Sequence, residues 1–194
     1  MTSSSILTSS GRFLDLLDPD PRDIDLMDIA LGLSRECRFS GQTKVFYSVA
    51  QHSVLVSRLV PEEYALEGLL HDATEGILRD IAAPIKKLLP DYMKIEGLLD
   101  RVIRQKFGLP EIPSSAVIRA DQILLATEFR DVVNPSLSRE AVIETLHFPA
   151  MEETISPLTS ERALGLFLSE YRRILEKKNG SSEDIGVLSL SKGV

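Results

Sequence analysis

The sequence predicts an all-α fold in one domain, and three observations carry that expectation. Apolar residues recur with a period near 3.6 along most of the chain, while runs that alternate like strands are few. Proline, serine and glycine fall where those periodic stretches begin and end. The chain has 194 residues, 43% apolar and 26% charged, which suits one sizeable core and leaves little for a second. The domain is expected over residues 23–178, after an N-terminal extension at 1–22 and before a mobile Ser/Gly-rich tail at 179–194.

The first helix is expected from Ile24 to about Glu36, where Ile24, Met27, Ala30, Leu31 and Ser34 share a face behind an acidic, proline-rich lead. A polar loop at 40–44 separates it from a second helix, Ser48 to Leu59, whose stripe reads Val49, His52, Val56, Leu59. Pro61, Glu62 and Glu63 suit the first turn of a third, with Ala65, Leu66, Leu69, Leu70 and Ala73 inward. Further helices are expected from Asp91 to Phe107, stopped by Gly108 and Pro110; from Ser114 or Ser115 to about Val133; and from Ser160 to Lys178.

Composition narrows the function. Lys+Arg number 22 and Asp+Glu 29, a net charge of −7 with no basic run, which argues against a nucleic acid polymer as partner. The single cysteine, Cys37, leaves no disulfide framework within the chain and no CxxC pair, as expected of a cytoplasmic protein. The first residues lack a basic stretch followed by an apolar one, and no run of about 18 apolar residues occurs, so no membrane partner is expected.

The informative residues are polar ones on faces that should be apolar. His52 sits in a hydrophobic stripe; His71 and Asp72 directly follow Leu69 and Leu70; Asp121 and Glu128 share a stripe with Val117, Leu124 and Leu125. A dry carboxylate costs several kcal/mol unless a cation or donors satisfy it, so something positive should face Asp121. Singly, each has a plain explanation: a hydrogen-bonded core histidine, or an aspartate bonded to a nearby arginine. Together, two of the chain's three histidines and two carboxylates form a mixed N/O set suited to one divalent ion such as Mn, Fe, Co, Ni, Zn or Mg. Glu75, one helical turn beyond His71, is the expected general base or acid, and Asp80 is expected to orient water, relay a proton or hold a substrate hydroxyl. The alternatives are a solvated helix residue for Glu75, and for Asp80 a helix cap.

His52, the doublet His71-Asp72 and the distant Asp121 resemble the H…HD…D signature of the HD-domain metal-dependent phosphohydrolases. The surrounding text, SVAQHS at 48–53, LLHDATEGILRDIAAPIK at 69–86 and ADQILLATEFRD at 120–131, is similar to the bacterial 5'-deoxynucleotidase branch. The resemblance covers roughly residues 23–175 and implies an HD-type helical fold. It implies a metal held by His52, His71, Asp72 and Asp121, catalysis by Glu75 and Asp80, and often a homodimer. Arg38-Phe39 is the nearest match to the Arg-Trp pair with which that branch engages its nucleotide, although this chain has no tryptophan. Arg38 would fork onto phosphate oxygens, with Lys86 as a second positive charge. The alternatives are a surface Arg38 pairing with Glu36 or a neighbouring acid, and a solvated Lys86 beside Lys87. The function expected is release of phosphate from (deoxy)nucleoside 5'-monophosphates. Left open are the same site on a cyclic nucleotide, a nucleoside triphosphate or an alarmone, and a nucleotide or metal sensor without turnover.

Overall fold

The structure, a computed structural model, describes residues 4–136 and 138–189. It is mostly helical, as the periodicity predicts. A two-stranded antiparallel hairpin comes first: β1 (Ser5–Leu7) pairs with β2 (Phe13–Asp15), with Ile6 opposite Leu14. Leu14 reaches the main core, and Asp28 in the first turn of α1 (Leu26–Arg35) accepts hydrogen bonds from the Ser9 and Ser10 side chains and the Ser10 backbone. The segment read from sequence as an extension is thus built onto the helical body.

The second helix, α2 (Val49–Leu59), is the central rod, packed by α1, by α3 (Ala65–Leu70), and by α7 (Ser115–Glu128) and α9 (Ser160–Ser189). Contact on so many sides explains why Gln51, His52, Ser53 and Ser57 are buried along with Val49, Ala50, Val54 and Val56. The buried serines and glutamine of α2 are matched: Ser53 bonds the Val49 carbonyl, Ser57 the Ala65 carbonyl, and Gln51 clamps Ser156 and Leu158 of the loop before α9. Leu33, Leu69, Leu99, Ile103 and Phe167 fill the main core, while Val56, Val117 and Leu124 form a second cluster between α2 and α7.

The helix expected from Pro61 is divided. A 3-10 turn at Glu62–Tyr64 leads into α3; the chain then tightens, with Ala73 N–H bonding to the Leu70 carbonyl and Glu75 N–H to that of Asp72, before the short α4 (Glu75–Leu78). Helix α4 lies against α1 at a glycine crossing. A Cβ on Gly32 would stand 1.8 Å from the Gly76 carbonyl oxygen, so only glycine fits there. Two short helices escaped the sequence reading, α5 (Ala83–Lys86) and α8 (Arg139–Leu146), each too brief to show a period. Helix α6 (Pro90–Phe107) ends on Gly108 in the left-handed conformation, as expected. The helix expected through Val133 stays α-helical only to Glu128 and finishes in a π turn at Phe129–Val133. Helix α9 continues past Lys178, the expected end, to Ser189, through a segment with no proline to stop propagation. The last five residues assigned to a tail, 190–194, lie outside the described residues.

Candidate metal centre and cleft

His52 lies one turn inside α2, whose start is fixed by the Ser48 hydroxyl accepting from Gln51 N–H, and its ring is fully buried. Its Nε2 stands 3.2 Å from His71 Nε2, 3.2 Å from Asp121 Oδ1 and 3.5 Å from Asp72 Oδ2. His71 sits where α3 gives way to the tight turn, and its Nδ1 donates to the Gly68 carbonyl at 2.8 Å. That bond turns Nε2 toward Asp72 Oδ2 at 3.3 Å and Asp121 Oδ1 at 3.9 Å. The four residues singled out from sequence as a ligand set are therefore brought to one place. Donors held about 2.0–2.2 Å from a common centre stand roughly 3–3.6 Å apart, close to these separations, and an N₂O₂ set suits a divalent transition ion. Among the described residues, His52, His71 and Asp72 offer ligand atoms that all lie within 4.8 Å of one another.

Charge is concentrated here. The partner required by Asp121 is His52: burial raises the carboxyl's pKa, but the imidazole bond and charge outweigh it and hold Asp121 well below its usual range. On His52, burial and the Arg38 charge favour the neutral ring; the carboxylates of Glu128 and Asp121 prevail and raise it to about 10. Arg38 reaches in from the 3-10 turn at Arg38–Gly41, with Nη1 3.3 Å from Asp72 Oδ2 and Nη2 3.1 Å from Glu128 Oε2. It does not pair with Glu36, which instead binds Arg79 at 2.8 Å and accepts from the Asp80 backbone N–H at 3.3 Å. Glu128 is fully buried and takes the His52 Nδ1–H on Oε1 at 2.6 Å. The sequence gives it a place on the stripe and no role. The available signal is its spacing: seven residues past Asp121, it lies on the same face two turns on.

Beside the cluster opens a cleft of about 380 Å³ whose lining includes Arg38, Phe39, Asp72, Glu75, Asp80, Lys86 and Asp121, so every residue given a role from sequence except the two histidines borders it. Glu75 is 7% exposed rather than solvated. Its carboxyl is pushed up to about 9, by burial first and then by the charges of Asp72 and Asp80. One of its oxygens lies 3.4 Å from Lys86 Nζ, and the other is buried without a partner. Asp80 is raised too, mainly by burial. Lys86 is held between Glu75 and Glu96, the latter at 2.7 Å. Phe39 has a positive φ of 56°, an uncommon conformation for a bulky residue, and its ring centroid lies 5.5 Å from the Arg38 guanidinium carbon. Such a site can hold a cation, keep a proton on a buried acid, and offer positive groups at the cleft wall.

The fold and this cluster define a helical protein that gathers two imidazoles and two carboxylates around one point. No family model matches the chain. It is 47% identical over 176 residues to the uncharacterized protein YfdR of Escherichia coli, covering 89% of this chain and 97% of that protein. It is 41% identical over 121 residues to an uncharacterized protein of Rhodobacter capsulatus, covering 57% of this chain and 62% of the other. The chain belongs to the YfdR family. No described helix is long and apolar enough to cross a membrane.

Proposed function

We propose that this chain is a metal-dependent phosphohydrolase of the HD superfamily, releasing phosphate from nucleoside 5'-monophosphates. The observation that carries the reading is the convergence of His52, His71, Asp72 and Asp121 at the edge of a cleft that also holds the buried acid Glu75. A divalent ion held by those four side chains would supply Lewis acidity toward a phosphoryl oxygen and a nearby water. Glu75 is the proton carrier: its unpartnered oxygen is buried at the cleft, and a raised affinity for protons suits a group that takes one and returns it. Asp80 carries a similar bias and can relay a proton or accept a substrate hydroxyl. Arg38 and Lys86 compensate phosphate charge from the cleft wall, and the Phe39 ring offers a face to a base or sugar.

Protein supplied with Mn²⁺, Co²⁺ or Mg²⁺ is expected to release inorganic phosphate from nucleoside monophosphates. A metal-saturated preparation inactive on mono-, di- and triphosphates alike would reject the reading, and product analysis separates monoesterase from triphosphatase or cyclic-nucleotide chemistry. Glu75→Gln is expected to retain stoichiometric metal and lose about 10²–10⁴-fold in turnover. Turnover equal to the parent's would remove Glu75 from the mechanism.

A further inference from the structure

Glu128 lies outside the four ligands, borders no open space, and has both oxygens engaged in different tasks. Oε1 receives the Nδ1–H of His52 at 2.6 Å, and Oε2 receives Arg38 Nη2 at 3.1 Å. Its position at the last turn of α7, two turns from Asp121, lets one helix supply both a ligand and the support for another ligand. We infer that Glu128 is the positioning residue of the site: one buried carboxylate fixes the ring orientation and tautomer of His52 and sets the reach of Arg38 into the cleft. The inference rests on the metal reading above.

An imidazole has two nitrogens, and only the unprotonated one can ligate. By engaging Nδ1–H, Glu128 makes Nε2, which faces His71 and Asp121, the nitrogen that would give up its proton to hold a cation. His71 solves the same problem with the Gly68 carbonyl, so both rings present Nε2 to the common centre. The second oxygen makes a different contribution. Arg38 is bonded to Asp72 and Glu128 together, so a cation that took up the Asp72 carboxylate would compete with the guanidinium for it. Glu128 then keeps Arg38 at the cleft with one fork free for a phosphate oxygen.

The test is Zn²⁺ affinity by chelator competition, read beside the proton spectrum of Zn²⁺-loaded protein. The parent is expected to show a low-field His52 Nδ1–H resonance, and Glu128→Gln to shift it upfield and weaken Zn²⁺ binding by about 10–100-fold while keeping the parent's far-ultraviolet dichroism. Glu128→Asp keeps the charge but withdraws the oxygen from Nδ1, and gives the same reading should the glutamine variant not fold. Affinity within about threefold of the parent, or an unmoved resonance, overturns the positioning role alone. A parent that binds no Zn²⁺ overturns the metal reading and this inference with it.

Discussion

At the scale of single residues the site is an arrangement of charges that only makes sense as a set. Arg38 has a side chain 11% exposed, and burial alone would loosen its proton; the carboxylates of Glu128 and Asp72 reverse this and raise its pKa. The reverse dependence holds for Glu128, which is completely buried and is kept ionised by Arg38 and His52 against the pull of its own desolvation. Replacing one member of such a pair leaves an uncompensated charge in the interior. Arg38→Met is therefore expected to cost about 3–5 kcal/mol in the metal-free protein. The double variant Arg38→Met/Glu128→Gln should cost less than the sum of the two single changes. Urea denaturation of the three variants measures both quantities, and a cost below about 1 kcal/mol for Arg38→Met would show that the guanidinium is not needed to hold the buried acid.

At the scale of elements, the close crossing of α1 and α4 places Glu75. Gly32 and Gly76 let the two backbones meet, and the residue before Gly76 is the buried acid of the cleft. A methyl on Gly32 would overlap the Gly76 carbonyl, so Gly32→Ala should destabilise by at least about 1–3 kcal/mol. By displacing α4 it should also lower turnover. Gly97 in α6 is the internal control: a Cβ there meets nothing within 4 Å, and Gly97→Ala should stabilise by about 0.5–1 kcal/mol with turnover unchanged. Thermal melts and phosphate release from the two variants check the contrast; equal effects would deny the crossing its role. The same region shows what periodicity can and cannot say. Leu66, Leu69 and Leu70 announce the helix, because their burial is a matter of spacing. The break after Leu70 is set by local bonds, including His71 Nδ1 to the Gly68 carbonyl, which compete with the helical ladder and leave no trace in the apolar pattern.

At the scale of the molecule, the residues legible in sequence were those whose polarity contradicts their position. His52, His71, Asp72 and Asp121 stand out because an imidazole or carboxylate on an inward face demands a partner. Glu128 satisfies the same criterion, but its role depends on which atoms it meets across α2 and the Arg38 turn, and no spacing encodes that. The hairpin was hidden for a related reason. Its strands have three residues each, and what holds them is long-range: Leu14 enters the core, and Ser9 and Ser10 bind Asp28 at the start of α1. Burial pushes the Asp28 pKa up, yet these serine hydrogen bonds more than offset it and leave the carboxyl below its usual value. A folded pKa below the unfolded value, about 3.9, means the carboxylate's stabilisation is complete above that pH and fades as the pH drops through the folded pKa. Asp28→Asn should therefore be less stable than the parent by about 1–3 kcal/mol at pH 7, with the gap narrowing as the pH falls below about 3.9. Urea titrations at pH 7, 5, 3 and 2 read the gap directly. A difference that stays constant over that range would mean the hairpin is held by packing of Leu14 and its neighbours, and not by the ionised carboxylate.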